Sequence, residues 1–264
     1  MLDLKNVSKT FYPGTVNEKR ALVDFSLHLD AGEFVTIIGS NGAGKSTLFN
    51  AIAGVWTTDE GKIIIDGQDV TFMGESARAK MIGRIFQDPM KGTAPSLTIE
   101  ENLAIAYSIG NNNIFRSAIS KKDEAFFRET LARLDMGLED RMKVKIGTLS
   151  GGQRQAVTLL MATLVTPKIL LLDEHTAALD PLTAEKVLEI TKEIVETRKI
   201  TTLMITHNIA SALDLGTRTI MLDNGRIAID ISGKERDGLD VDGLLKLYRQ
   251  TKGKALDNDR ILLS

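Results

Sequence analysis

The sequence predicts an α/β fold: a mainly parallel sheet with flanking helices, an N-terminal antiparallel β part, and an α-helical insertion near the middle. Three observations carry this reading. Phe34 to Ile38 is a β-rich run that ends at Gly39 and is followed by residues with helical spacing, Leu48 and Ile52. Lys168 to Asp173 is almost wholly aliphatic, the pattern of a parallel strand buried on both faces. Between these runs, Thr98 to about Met136 reads as helix.

The elements follow in order. Leu2 to Val7 and Ser26 to Leu29 alternate apolar and polar residues, as antiparallel partners with one wet face do. Lys45 to Ala53 is helical and stops at Gly54, a residue suited to a helix end. Ile63-Ile64-Ile65 followed by Asp66-Gly67 gives a hairpin within Gly61 to Val70, and Ile82 to Phe86 forms a further strand. Glu100 to Ala106 and Lys121 to Leu134 are helices, with a polar tip, Gly110 to Asn113, between them. Gly151 to Val165 is helical, and Pro181 to Arg198 is a long helix with proline in its first turn. Thr201 to Thr206 and Arg218 to Leu222 are strands, the second turning at Asn224-Gly225 into Arg226 to Ile231. The polar stretch from Lys252 is expected to be loosely held, and no internal repeat is visible.

Composition removes several function classes. The 264 residues carry 33 Lys and Arg against 35 Asp and Glu, a net charge of -2, so no basic excess supports non-specific nucleic-acid binding. Cysteine is absent, which excludes disulfides and thiolate metal sites. No run approaches the ~18 apolar residues of a membrane span, and the start lacks the pattern of a secretory leader. The expectation is a soluble, cytoplasmic chain that reaches a membrane only through another subunit.

Gly39-Ser40-Asn41-Gly42-Ala43-Gly44-Lys45-Ser46-Thr47 fits G-x-x-x-x-G-K-[ST], with a strand before it and a helix after it. Glycines let consecutive N–H groups converge on phosphate oxygens, and the helix N-terminus adds positive charge. Lys45 reaches the β- and γ-phosphates, and the Ser46 hydroxyl suits Mg²⁺. This predicts a P-loop NTPase core that binds a nucleotide. The aliphatic run ends in Asp173 and Glu174 where ligand groups sit in parallel sheets. Asp173 is therefore a candidate metal ligand, and Glu174 a candidate general base for an attacking water.

Leu149-Ser150-Gly151-Gly152-Gln153 followed by Arg154 could be no more than a serine-capped helix start. Together with the two motifs above it resembles the signature of the ATP-binding cassette (ABC) family, and the resemblance runs from about Met1 to about Ile231. It implies ATP and Mg²⁺ as ligands. Gln87 matches the glutamine that links Mg²⁺ and water to a membrane partner, Asp180 in Ala178-Leu179-Asp180 matches a dimer-interface position, and His207 matches the histidine that contacts the γ-phosphate. Phe11 stands where the family stacks an aromatic on adenine, with Tyr12 as the neighbouring candidate. The chain departs from the family pattern at His175, where proline usually follows the glutamate. His175 either fills a turn position or adds a titratable imidazole beside Glu174.

The resemblance further implies a single nucleotide-binding domain over 1–264. Residues 1–88 and 149–231 would form the ATPase core, 89–148 the helical subdomain, and 232–264 a C-terminal helix and tail. Two such chains, or this chain and a paired ABC subunit, would dimerise head to tail, Ser150, Gly151, Gly152 and Gln153 of one completing the ATP site of the other. The implied partners are integral membrane permease subunits, with an extracytoplasmic solute-binding protein as a further candidate and no nucleic acid expected. The implied location is peripheral, on the cytoplasmic face of the cell membrane. Met90 and Gly92 to Ser96 would lie near the groove that receives a permease helix. A non-transport ABC ATPase acting on DNA or ribosomes is the alternative, but the chain has neither a long coiled coil nor a second cassette. The stretch Asp173 to Pro181 is similar to cassettes of bacterial importers with branched-chain-type permeases, some associated with aromatic amino acids, and the end beyond Ile231 is too short for an added regulatory domain.

Overall fold

Alternating polarity at the start of the chain pairs as expected. The computed structural model describes residues 1–109 and 119–252; the polar tip Gly110 to Asn113 and the end beyond residue 252 lie outside the described residues. From Met1 to Arg78 the elements are β1 (Leu2–Phe11), β2 (Lys19–Leu29), β3 (Phe34–Gly39), α1 (Lys45–Ala53), β4 (Glu60–Ile65), β5 (Gln68–Asp69) and α2 (Glu75–Arg78). Next come β6 (Ile82–Ile85), α3 (Ile99–Ser108), α4 (Lys121–Ala132), α5 (Gly151–Leu164), β7 (Ile169–Asp173) and α6 (Pro181–Arg198). The last are β8 (Thr201–Ile205), α7 (Ile209–Leu215), β9 (Arg218–Asp223), β10 (Arg226–Ser232) and α8 (Val241–Lys252). They fall into two compact units, the first comprising Met1–Arg78 with Lys199–Ser264 and the second Ala79–Arg198.

The first unit contains two sheet regions. β1 pairs antiparallel with β2 (Leu2 opposite Leu29, Leu4 opposite Leu27) and with β4 (Leu2 opposite Ile65). This register buries Leu2, Leu4 and Val7 together and leaves Lys5 in water, the one-sided burial that the alternation demands. In the other region β3 lies between β8 and β9, parallel to both, and β10 closes the edge antiparallel to β9. All six residues of β3 are buried, which explains its unbroken apolar character. Helix α8 covers one end, where Leu244 and Leu245 pack with Ile38, Met221, Ile229 and Ile231. Each such buried aliphatic stabilises the fold by about 1.5–3 kcal/mol.

In the second unit β6 and β7 pair in parallel, Ile82 opposite Ile169 and Ile85 opposite Leu172. Helices α3, α4 and α5 each begin with a side-chain cap that closes reciprocally with the third residue of the helix, through Thr98 and Glu101, Ser120 and Asp123, and Ser150 and Gln153. Helices α2 and α7 were not expected; they are seven residues or shorter, too brief for helical periodicity to stand out.

Candidate functional site

In the first unit the chain leaves β3 at Gly39, turns through Ser40 to Gly44, and enters α1 at Lys45. The turn requires Gly44: its φ is 109°, and a Cβ there would lie 2.4 Å from the Ala21 carbonyl oxygen. Loop and helix are tied locally, with the Ala43 N–H donating to the Ser40 carbonyl at 3.1 Å and the Leu48 N–H to the Gly44 carbonyl at 2.8 Å. Lys45 is buried, and its Nζ donates to the carbonyls of Gly39 at 2.5 Å and Ser40 at 3.1 Å. Its ammonium thus lies inside the curve of the loop, where a phosphate would meet it together with backbone N–H groups. Asn41, Gly42 and Ser46 are exposed and Thr47 is half-buried, so the loop tip and the start of α1 are open to a ligand. A polyanion fits this cradle.

Phe11 ends β1 and is half-buried, its ring edge-to-face with Trp56 at a centroid distance of 4.8 Å. Tyr12 is 69% exposed and already in the following turn, with φ 52°. Phe11 is therefore the better-fixed of the two aromatics. His207 stands between β8 and α7, where Asn208 caps the helix by accepting the Ser211 N–H at 3.0 Å.

The second unit brings another group together at the end of β7. Gln87 Nε2 donates to Glu174 Oε2 at 3.2 Å, and Arg84 Nη2 lies 4.0 Å from Asp173 Oδ2. The Arg84 guanidinium also stacks on Phe86, 4.6 Å from the ring centroid. Glu174 adopts φ 46°, a left-handed conformation that costs a non-glycine residue about 1–2 kcal/mol and needs support from its surroundings. His175 is buried, and burial pushes its pKa down to about 4. The imidazole is therefore neutral at pH 7, which favours the turn-filling alternative for His175 over a group titrating near neutrality beside Glu174. Desolvation, invisible in the sequence, decides this.

Ser150 caps α5: its Oγ accepts the Gln153 N–H at 3.3 Å, and Gln153 Oε1 accepts the Ser150 N–H at 3.4 Å. Gly152 is buried against Thr183, whose Cγ2 would be 1.9 Å from a Cβ at that position. Asp180 caps α6 by accepting the Thr183 N–H at 3.1 Å, and hydrogen bonds from Thr183 hold its carboxyl below the usual carboxylate range. Sequence reasoning noted Arg154 only as a basic residue after the glycines. Its guanidinium donates to the carbonyls of Ile146, Gly147 and Leu149 at 2.9–3.2 Å, bracing the loop that leads into Ser150. Those acceptors are backbone atoms, so no residue pattern announces them.

A cleft of about 270 Å³ opens in the same unit, lined chiefly by Ile82, Arg84, Ile105, Ile109, Met161 and Val165. Gly92 lines it as well. Met90 is 41% exposed, with the Arg154 guanidinium 2.9 Å from its sulfur.

Among known proteins, residues 22–177 match the family described as ABC transporter. The chain is 42% identical over 249 residues to a tyrosine transport ATP-binding protein of Clostridioides difficile (strain R20291), covering 94% of this chain and 98% of that one. It is 34% identical over 241 residues to the phosphonates import ATP-binding protein PhnC of Lactococcus lactis subsp. cremoris (strain SK11), covering 89% and 94%. Among solved structures it resembles a dimeric ATP-binding cassette in a post-hydrolysis state bound to ADP and Pi, with a TM-score of 0.74, 32% identity, and coverage of 88% and 98%.

Proposed function

The chain belongs to the ABC transporter family, and we propose that it powers a bacterial importer for tyrosine or a closely related aromatic amino acid. It is an ATP-binding and ATP-hydrolysing subunit. The observation that carries the choice of solute is the 42% identity, over nearly the whole of both chains, with a tyrosine transport ATP-binding protein. No described helix is long and apolar enough to cross a membrane, so translocation is assigned to separate permease subunits. A helix of the permease would seat in the apolar cleft around Ile105, Ile109 and Met161. An extracytoplasmic solute-binding protein would deliver the amino acid, and the subunit would sit at the cytoplasmic face. In domain terms, 1–88 and 149–231 are the proposed ATPase core, 89–148 the helical subdomain and 232–264 the C-terminal part.

Each residue has a proposed role in the reaction. The N–H groups of Gly39 to Thr47 and the Lys45 ammonium bind the β- and γ-phosphates, and Phe11 stacks on adenine. Ser46, Asp173 and Gln87 offer the oxygen donors that a hard divalent cation prefers, and they would hold Mg²⁺, which neutralises phosphate charge when bound. Glu174 takes a proton from the attacking water, with its carboxylate oriented by Gln87 Nε2. His207 donates to the γ-phosphate as charge develops there. Ser150 to Gln153 and Asp180 of a second cassette complete the site, so ATP closes the dimer and loss of the γ-phosphate opens it.

The test is recovery of a tagged Glu174→Gln chain from native membranes in ATP and Mg²⁺, followed by uptake of labelled tyrosine in cells lacking the chain. Co-recovery of a polytopic permease and loss of tyrosine uptake are expected. Recovery of ribosomes or DNA without a membrane protein would overturn the transport assignment; intact tyrosine uptake would overturn the solute.

A further inference from the structure

Between Leu172 and Val187 the chain carries Asp173, Glu174 and Asp180, yet only one residue in that interval is buried, and it is His175. Ahead of α6 the segment runs through turns: the Ala177 N–H donates to the Glu174 carbonyl at 3.0 Å and the Leu179 N–H to the Thr176 carbonyl at 3.1 Å. Such turns shape a segment without fixing where it sits. The His175 side chain supplies the anchor. Its Nε2 lies 3.1 Å from Thr191 Oγ1, on the buried face of α6. The direction of that bond follows from Thr191 itself. A hydroxyl has one proton, and this one is given to the Val187 carbonyl at 2.7 Å, so Oγ1 accepts and His175 Nε2–H donates.

We propose that His175 is a positioning residue for ATP hydrolysis: its Nε2–H bond to Thr191 anchors the Glu174 backbone on α6 and so aims the Glu174 carboxylate. Glu174 is held from two sides, by Gln87 at the carboxylate and by His175 one residue along the chain. The second hold matters because Glu174 is in the left-handed region, which the residue leaves when its neighbours stop imposing it. The inference rests on Glu174 acting as the base.

The experiment measures kcat, ATP affinity and thermal stability in the purified full chain. Thr191→Val, which keeps the shape and removes the acceptor, is expected to lower kcat by about 10- to 100-fold, the scale of a carboxylate misplaced by up to an ångström. ATP affinity should change by less than about twofold, because the lost interaction serves the transition state. Thr191→Ser, which keeps the hydroxyl, should restore most of the rate. His175→Leu should mimic Thr191→Val, and the double variant should be no slower than the worse single one. A Thr191→Val protein that melts earlier but keeps wild-type kcat would overturn the inference and leave a purely structural hydrogen bond. If these variants fail to fold, ¹⁵N NMR of the wild-type histidine ring decides: protonated Nε2 supports the bond, and protonated Nδ1 refutes it. Wild-type turnover in Glu174→Gln would instead sink the base assignment on which the inference stands.

Discussion

Arg78 offers the sharpest test of what holds the phosphate loop's helix in place. Its side chain is 1% exposed, yet it faces backbone carbonyls: Nη1 donates to Ala51 and Ile52 at 2.7 Å, Nε to Met73 at 2.8 Å, and Nη2 to Thr71 at 3.1 Å. Two of these acceptors are the last turn of α1, where carbonyls lack helical partners and a cation is favoured. Arg78→Met keeps bulk and removes every donor. The Ala51 carbonyl retains the Gly54 N–H at 3.2 Å, whereas Ile52, Met73 and Thr71 each lose the guanidinium. Stranding a buried acceptor costs about 1–3 kcal/mol, and relief from desolvating the guanidinium offsets part of the sum, so a net loss of about 3–5 kcal/mol is expected. At about 2–4 °C per kcal/mol for a domain of this size, the melting temperature should fall by roughly 6–20 °C. The assay is thermal unfolding with and without saturating ATP. The rise in Tm on adding ATP should survive the substitution, because the phosphate loop is at the opposite end of α1, about 13 Å away. A fall of less than about 3 °C would refute this account of Arg78, and loss of the ATP-induced rise would show that it acts on the loop directly.

Gly152→Ala should abolish ATP-driven dimerisation by size exclusion in a Glu174→Gln background, since its Cβ would lie 1.9 Å from Thr183 Cγ2; Thr183→Ser, which removes that methyl, should restore it. The only tryptophan, Trp56, meets Phe11 edge-on at 4.8 Å, so ATP binding should change its fluorescence; Phe11→Ala should remove the change and Tyr12→Ala should leave it. His175 has a pKa of about 4 in the folded chain against 6.5 unfolded, so the unfolded state binds the extra proton between those values. Stability from this group is complete above pH 6.5 and declines as pH falls toward 4, by about 3 kcal/mol in all. His175→Gln should flatten that acid limb in urea unfolding while leaving the shape of the pH–rate profile between 6.5 and 8 unchanged.

Much of the fold was legible because its signals are local. The extent of α1 follows from Lys45 and Gly54, the β4–β5 turn from Asp66-Gly67, and the pairing of β1 with β2 from the alternation of Leu2, Leu4, Leu27 and Leu29. Backbone acceptors were not legible. Arg78 and Arg154 look like surface cations in the sequence, yet together they satisfy seven carbonyls, and a carbonyl carries no residue identity. For His175 the sequence left two alternatives, a turn filler or a titrating ring, and only its burial in the folded chain, which keeps the ring neutral, and the contact with Thr191 on α6 separate them.

The phosphate loop shows how a local motif depends on distant chain. The pattern from Gly39 to Lys45 specifies where N–H groups converge, but its curvature is also set from outside. The Gly225 N–H donates to the Ala43 carbonyl at 2.9 Å, and the Gly225 carbonyl in turn accepts the Val23 N–H at 3.0 Å. A turn about 180 residues downstream therefore bridges the loop to β2, the strand whose Ala21 carbonyl leaves no room for a side chain at Gly44. Asn224-Gly225 read in the sequence as a hairpin turn and nothing more. In the folded chain that turn and β2 confine the loop between them. The curvature of the loop is shared between its own residue pattern and the turn and strand packed against it.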